Sequence, residues 1–386
     1  MASRAMKQQH REALSMLQAV CAQFARARAN ETASLPPLRW RSIPHSTQHL
    51  ARHGLLPIVH WLVERGQIVD VERGVAAAAW AERAFNAERN RCAEQRLIEI
   101  VSTLNAAGIA TIAHKGPALT RHLYGDAALR SYTDLDLIVN AADLFDAVDA
   151  VGALGYEPIT RVDTAVRGRF LQAGRQYDME CVHREHGALL ELHWRSDPRF
   201  FIEAPTVAPI DIAGVRLAQL CDRELLFALL IHGTKHRWAR FAWLLDVALL
   251  ESRLRPDDWA WILRQARRLR CETRLLVGLI LVRNIVGRAP PEVDWSGPAR
   301  RRACRMADAI ERELGCAETS PDRSIVQQMR DEHASNDSVG QTVAHGARLA
   351  FTPNLRAWQH VSPRQAWPGA AWLARLVRIA ARRRAR

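Results

Sequence analysis

Residues 114–139 constrain the fold of this chain more than any other stretch. The run IATIAHKG ends at Gly116, a helical turn or two follows, and the apolar strand TDLDLIV then begins with two aspartates one residue apart. A β-branched run ending in glycine predicts a strand and a tight turn, and apolar alternation predicts the second strand. This order indicates a small sheet with a helix packed on it.

The segments that follow extend the sheet. AADLFDAVDAVGALG has the spacing of an amphipathic helix, and RQYDMECVH and ALLELHW are alternating segments joined by REHG. Two alternating segments with so short a connection predict a β-hairpin. Strand, helix, strand, helix and hairpin together predict a mixed sheet of about a hundred residues.

Helical patterns flank this sheet on both sides. They fill the first hundred residues and return after about Leu217, where RELLFALLIHGTKHRWARFAWLLDVALL has the pattern of one helix. The charged segment 288–345 predicts a loosely packed connector. We therefore predict an α+β protein with a small mixed β-sheet core at 98–215, a helical region at 1–97 and a helical domain at 216–386 that ends in a basic tail.

The charge of the chain suggests an anionic partner. The net charge is +13, and six arginines lie in the last twelve residues, RLVRIAARRRAR. Such a tail predicts contact with nucleic acid phosphates or an acidic membrane face. The alternative is a solvated helix end, where arginines suit the helix dipole.

Cysteine usage and hydropathy bear on location. The seven cysteines are scattered without a CxxC pair, as expected of small buried residues in a reducing compartment. The first residues lack the apolar core of a signal peptide, and the longest apolar run is far shorter than the roughly 20 residues of a membrane span. These features predict a cytoplasmic protein with no transmembrane segment.

The paired aspartates suggest a metal site. Residues i and i+2 of a strand share a face, so Asp134 and Asp136 lie side by side while the leucines between them face the core. Magnesium prefers such carboxylates, although a solvated strand end has the same pattern. Lys115 and Gly116 open a helix whose free N–H groups attract phosphate, and Glu191 lies on a later strand as a third acid. Three carboxylates and a phosphate turn outline a two-metal site.

Four segments of the sequence resemble those of a known protein family, namely KGPAL, LYGDAALRSYTDLDLIV, LELHW and IHGTKHRWARFAWLLDVALL. The chain resembles a bacterial family of mostly uncharacterised nucleotidyltransferases within the DNA polymerase beta-like nucleotidyltransferase superfamily. The resemblance covers most of the chain, makes 98–215 the nucleotidyltransferase core, and is most specific in the D-x-D block with Arg130. Two departures are Pro117, where the superfamily has a small residue, and a glutamate as third acid.

The resemblance implies a role for each of these residues. Asp134, Asp136 and Glu191 would be both catalytic residues and ligands of two Mg²⁺ ions, with Glu191 as the general base or its metal-bound substitute. Lys115 and Gly116 would hold the triphosphate of an NTP, with ATP as the first choice. Arg130 would bind a phosphate, or else would pair with Asp126 or Asp134 to fix its loop.

The helical block after the sheet adds further candidates. On a continuous helix, His232, Lys235, His236, Ala239, Trp243 and Asp246 fall at three-and-four spacing. The resemblance implies that Lys235 or His236 binds phosphates and that Trp238 or Trp243 stacks on a base or lies in the core. Asp246 lies on this same helix face, or else is buried against Arg240 or His236. His193, on the strand of Glu191, either orients a substrate or has a structural role.

Together these features predict a nucleotidyltransferase. The expected reaction moves a nucleoside monophosphate from an NTP to an acceptor hydroxyl or phosphate on a small molecule, peptide or protein, by two-magnesium catalysis. One alternative is an RNA or tRNA nucleotidyltransferase that uses the basic tail, and another is a non-catalytic nucleotide-binding protein with the same fold.

Overall fold

A computed structural model describes residues 2–29, 36–173, 176–288, 297–315, 325–352 and 358. The basic tail, where a nucleic acid or membrane contact is predicted, lies outside these residues. The N-terminal part contains α1 (Ala2–Arg28), β1 (Leu38–Arg39), α2 (Ser46–Arg52), α3 (Leu56–Glu64), β2 (Ile68–Val69) and α4 (Arg73–Ala106).

A seven-stranded mixed sheet forms the centre of the molecule. The strands of this sheet and the helices between them are β3 (Thr111–His114), α5 (Gly116–Tyr124), β4 (Asp134–Val139), α6 (Leu144–Gly152), β5 (Tyr156–Pro158), α7 (Arg167–Gln172), β6 (Asp178–His183), β7 (Leu189–His193), β8 (Val207–Ile212) and β9 (Val215–Leu220). The strand order is β5-β6-β7-β4-β3-β9-β8. The β4/β7 and β3/β9 pairs are parallel and the other four pairs are antiparallel.

The helices that follow are α8 (Asp222–Lys235), α9 (Phe241–Glu251), α10 (Pro256–Leu269), α11 (Glu272–Val286), α12 (Pro298–Leu314), α13 (Ile325–Ser335) and α14 (Val339–Phe351). The predicted α+β class, with a mixed sheet between two helical regions, is thus observed. So are the D-x-D strand and the hairpin, which is the antiparallel β6/β7 pair.

Two cores cover the two faces of the sheet. Leu135, Leu137 and Val139 of β4 pack with the C-terminal half of α4 and with α6. The second core is mainly helical and includes residues of α1, α3, α8, α9, α11 and α12, and Ile112, Ile138 and Leu220 of the sheet pack with it. The second sheet face also carries the polar side chains of Asp136, Glu191 and His193, and there the candidate site forms.

Two helices far apart in the sequence, α1 and α12, pack on one helix. Both α1 and α12 pack against α11. Gly315, directly after α12, approaches α1 so closely that a Cβ at this position would lie 2.8 Å from the carbonyl oxygen of His10. The N-terminal helix and the helix at 298–314 therefore belong to the same packed unit.

The connector prediction for 288–345 is wrong for the described residues. There the chain forms α12, α13 and most of α14. The apolar residues of α12 recur at helical spacing and are buried, while its many arginines lie on the other side and lower its mean hydropathy. The buried residues are Ala303, Met306, Ala307, Ile310 and Leu314.

The single helix predicted across 223–250 is also wrong. It breaks between α8 and α9, where Arg237 and Trp238 have positive φ angles. The break lets the Trp238 ring fold back into the core, against Gly233 and Gly278. A Cβ on either glycine would lie within about 2.6 Å of that ring, so only glycine fits at these positions.

The predicted segment boundaries cut through regular elements. The boundary at 97/98 falls inside α4, and the boundary at 215/216 falls between the first and second residues of β9. The sheet therefore extends five residues beyond the predicted core.

One buried acid of α9 lowers stability at neutral pH. Both carboxylate oxygens of Glu251 are buried without a hydrogen-bond partner in the described part of the chain. Burial raises the pKa of Glu251 to about 7, against a partial lowering by Arg288. Because the unfolded chain releases this proton more readily, stability falls as the pH rises from 4.5, the ordinary pKa of a glutamate, through 7.

We therefore expect Glu251→Met to stabilise the protein in a pH-dependent way. The free energy of unfolding should rise by about 3 kcal/mol at pH 8 and by less than about 1 kcal/mol at pH 4.5, since each unit of pKa shift is worth about 1.4 kcal/mol. Urea titrations at both pH values measure this, with the exposed Glu185→Met as the control. Equal stabilisation at both pH values would contradict the explanation.

Candidate active site

The register of three neighbouring strands aligns carboxylates on one sheet face. Asp134 and Asp136 are two residues apart on β4 and therefore share a face. In the parallel β4/β7 pair, Asp136 lies directly opposite Glu191. The expectation that a later strand brings a third acid beside the D-x-D pair is met by this geometry.

Asp136 lies at the centre of a buried polar network. It is 2% exposed. Its Oδ1 accepts hydrogen bonds from Lys115 Nζ at 3.2 Å and from His193 Nε2 at 3.0 Å. Burial alone would raise the pKa of Asp136, but these two cationic neighbours outweigh burial and hold it far below its usual range.

His193 joins two of the carboxylates. Its Nε2 is 3.0 Å from Asp136 Oδ1 and 3.1 Å from Glu191 Oε2. Burial opposes protonation of His193, yet its hydrogen bonds to these two acids raise its pKa to about 9. The histidine thus places positive charge between two groups that would otherwise repel each other.

The same three side chains have the composition of a cation site. One ligand atom each from Asp136, Glu191 and His193 lies within 4.8 Å of the others. Carboxylate oxygens suit a hard divalent ion such as Mg²⁺. Asp134 is not part of this close group, but burial, followed by the charges of Asp136 and Glu191, raises the pKa of Asp134. It therefore lies within their electrostatic reach.

The predicted phosphate turn lies against the D-x-D strand. Lys115 and Gly116 both have positive φ, and α5 starts at Gly116 with Pro117 in its first turn. A Cβ at Gly116 would lie 3.2 Å from the carbonyl oxygen of Asp134. Glycine is favoured here because its φ is positive and because the turn approaches the strand backbone closely.

These groups share a cavity of about 460 Å³. The sheet and the phosphate turn form one wall, and the α8–α9 region forms the other. The lining residues that matter below are Lys115, Gly116, Asp134, Asp136, Tyr177, Asp178, Glu180, Glu191, His193, His236 and Trp243.

Arg130 pairs with neither of the predicted partners. Its Nε donates to both carboxylate oxygens of Asp246 on α9, at 3.1 and 3.0 Å. Asp246 also accepts from the Tyr124 hydroxyl at 2.8 Å, whereas Asp126 pairs with Arg83. The expected burial of Asp246 against Arg240 or His236 is likewise replaced by this pair.

Asparagines of α4 hold the Arg130 loop from the other side. Asn90 Nδ2 donates to the Arg130 carbonyl oxygen at 2.8 Å, and Asn86 Nδ2 donates to Ser131 Oγ at 2.9 Å. Both asparagines are fully buried. The loop that leads into Asp134 is therefore fixed by the N-terminal helical region as well as by α9.

The remaining predicted site residues lie at different places in the α8–α9 wall. His236 lines the cavity, and His232, His236 and Trp243 form an aromatic cluster with ring centroids 4.5 to 6.2 Å apart. Desolvation lowers the pKa of His236 to about 4. The exposed Lys235 donates to the Tyr177 hydroxyl. Trp238 lies in the core.

Tyr177, Asp178 and Glu180 line the cavity from β6 and the residue before it, and none of them is among the residues predicted from the sequence. The available signal was the alternation in YDMEC, which puts Asp178 and Glu180 on one strand face in the same way as Asp134 and Asp136. The hairpin register was also needed, since it places Glu180 opposite Glu191.

In the described ranges, no helix combines the length and the apolar character that a membrane crossing needs.

A family profile matches much of the chain. The profile of a family described as uncharacterised nucleotidyltransferase matches residues 41–287, about two thirds of the chain. A search of curated proteins finds no match.

Two solved structures are similar to part of the chain. One is the solution structure of the antibiotic-resistance factor ANT(2'')-Ia, with 16% identity and a TM-score of 0.34 over 45% of this chain and 90% of that protein. The other is an antigenic nucleotidyltransferase-like protein from Paracoccidioides brasiliensis, with 13% identity and a TM-score of 0.30 over 47% and 91%. On the extent of the family match, the chain belongs to the family of uncharacterised nucleotidyltransferases and is an enzyme of the nucleotidyltransferase type.

Proposed function

We propose that this enzyme transfers a nucleoside monophosphate from an NTP, ATP in the first place, to an acceptor hydroxyl or phosphate and releases pyrophosphate. The observation that carries the proposal is the alignment of Asp136 with Glu191 beside Asp134, within one cavity that also contains the Lys115–Gly116 turn. Metal ligands and a phosphate-binding turn facing one space are what this reaction requires.

Asp134, Asp136 and Glu191 are the proposed ligands of two Mg²⁺ ions. The fit rests on the donor set, because Asp136 and Glu191 present hard oxygens within 4.8 Å of each other and of His193. Bound magnesium would supply positive charge to the triphosphate and to the acceptor oxygen. Lys115 already lies 3.2 Å from Asp136, so its ammonium is placed beside the same charges.

The residues of the chain serve both halves of the transfer. The acceptor oxygen forms a new bond to the α-phosphorus, and the bond from that phosphorus to pyrophosphate breaks. Glu191, which remains partly accessible, takes the proton of the acceptor as general base. The first-turn N–H groups of α5 and the Lys115 ammonium hold the triphosphate.

The opposite wall completes the nucleotide site in this proposal. His236 contacts a phosphate as a neutral hydrogen-bonding group, and Lys235 contributes its ammonium from the exposed end of α8. Trp243 offers a ring face to the base. Arg130 contributes Nη1, which has no hydrogen-bond partner within the described ranges while its Nε is bound to Asp246.

Calorimetric titration with non-hydrolysable ATP, GTP, CTP and UTP analogues tests the proposal. We expect saturable binding of at least one analogue that requires magnesium, and loss of that binding in Asp134→Asn/Asp136→Asn because both substitutions remove anionic ligands. Circular dichroism checks that the double variant is folded. Binding of equal strength without magnesium, or undiminished binding by the double variant, would overturn the metal–nucleotide site.

A further inference from the structure

The cavity carries more negative charge than the proposed metal site uses. In addition to the three catalytic acids, β6 contributes Asp178 and Glu180 to its wall. Glu180 lies directly opposite Glu191, on the side away from Asp136. Glu180 lies one strand farther from the D-x-D pair than Glu191 does, and neighbouring strands are about 4.8 Å apart.

This arrangement is unfavourable in the protein alone. Like charges directly opposite each other on neighbouring strands repel, as Glu180 and Glu191 do. Burial raises the pKa of Glu180, and the charges of Asp178 and Glu191 raise it further. In the described part of the chain, no lysine, arginine or histidine forms an ion pair with Glu180. A cation from outside the chain would relieve this repulsion.

A second observation is that an ammonium group of the chain already contacts this wall. The Nζ of Lys235 lies 4.3 Å from the centroid of the Tyr177 ring and donates to the Tyr177 hydroxyl. Desolvation lowers the pKa of Lys235, and the carboxylates of Asp197, Asp178 and Glu191 partly oppose this lowering. An aromatic face next to carboxylates is a typical environment for an ammonium ion. Lys235 thus reaches the wall from the exposed end of α8 and leaves the Glu180 carboxylate to another cation.

We propose that the acceptor is an amine-bearing alcohol, whose ammonium binds Asp178 and Glu180 while its hydroxyl faces the α-phosphate. This inference rests on the proposed nucleotidyl transfer and names the substrate class. It selects against nucleic acid as acceptor, because phosphates next to Asp178 and Glu180 would add to the negative charge of that wall. The hydroxyl loses its proton to Glu191, and the ammonium group is unchanged by the reaction.

A pair of matched probes tests the charge requirement. We would titrate 1,3-diaminopropan-2-ol, and separately glycerol, into the protein with magnesium and the nucleotide analogue that binds best. The two probes share a carbon skeleton and a central hydroxyl, and only the first is cationic. We expect the diamine to bind at least about 10-fold more tightly than glycerol, and Asp178→Asn/Glu180→Gln to remove that difference.

Glu157→Gln/Glu185→Gln is the matched control, since it removes two exposed acids outside the cavity and should bind the diamine as the unaltered protein does. If the diamine binds no better than glycerol, or binds Asp178→Asn/Glu180→Gln undiminished, the amine-bearing acceptor is excluded. The nucleotide titration is a separate measurement. Its failure would remove the proposed function, whereas intact nucleotide binding without diamine preference removes only this inference.

Discussion

Asp136→Asn should reduce the rate of magnesium-dependent pyrophosphate release by about 1000-fold or more. The asparagine has nearly the same shape, but it lacks the charge that Lys115 and His193 surround at 3.2 and 3.0 Å. Several kcal/mol of charge stabilisation are lost in such a site, and each 1.4 kcal/mol corresponds to about a tenfold rate change. Release is measured with the nucleotide that binds best, and with an amine-bearing alcohol or water as acceptor.

Asp149→Asn is the control for this variant, since Asp149 is exposed on α6 and lies away from the cavity. It should retain the full rate. Thermal unfolding of both variants separates loss of catalysis from loss of structure. If a folded Asp136→Asn protein retained more than about a tenth of the rate, Asp136 would not be a metal ligand of the reaction.

Asp246→Ala should lower the free energy of unfolding by about 3–5 kcal/mol. The substitution leaves the Arg130 guanidinium buried without its partner, and an uncompensated buried charge carries a cost of this size. It also removes the acceptor of the Tyr124 hydroxyl. Urea unfolding followed by tryptophan fluorescence measures the change.

A charge-free pair distinguishes this explanation from lost packing. Arg130→Met/Asp246→Leu replaces both partners by apolar groups, and we expect it to recover most of the stability lost in Asp246→Ala. Glu88→Ala, which breaks an exposed helical ion pair with Arg91, should leave stability nearly unchanged. If the apolar pair were as unstable as Asp246→Ala, the unpaired charge would not be the cause.

Local patterns predicted the parts of the fold that depend on local order. The D-x-D strand and the β6/β7 hairpin follow from alternation along a few residues, and the turn at Gly116 follows from a glycine before a helix. The neighbouring position of Glu191 also follows, because two strands with acids on one face need only pair in register.

The rest depends on contacts between distant residues. The partner of Arg130 lies 116 positions away, on α9, and the sequence pattern had predicted α8 and α9 as one helix. The break after α8 requires Gly278, far along the chain from Trp238, to leave room for the indole ring. The acids of β6 were overlooked because a D-x-E alternation acquires meaning only when its strand lies next to Glu191.

Because α1 and α12 both pack on α11, the segment matched by the family profile can be compared with the part of the chain that packs as one unit. The family profile spans residues 41–287 and so omits both α1 and α12. A fragment cut at those limits would expose the apolar side of α11 and the groove that Leu17, Val20 and Phe24 fill at 0% exposure. The segment that the family profile matches is thus smaller than the packed unit, and we expect a shortened protein meant for crystallisation to need residues 2–28 and 298–314.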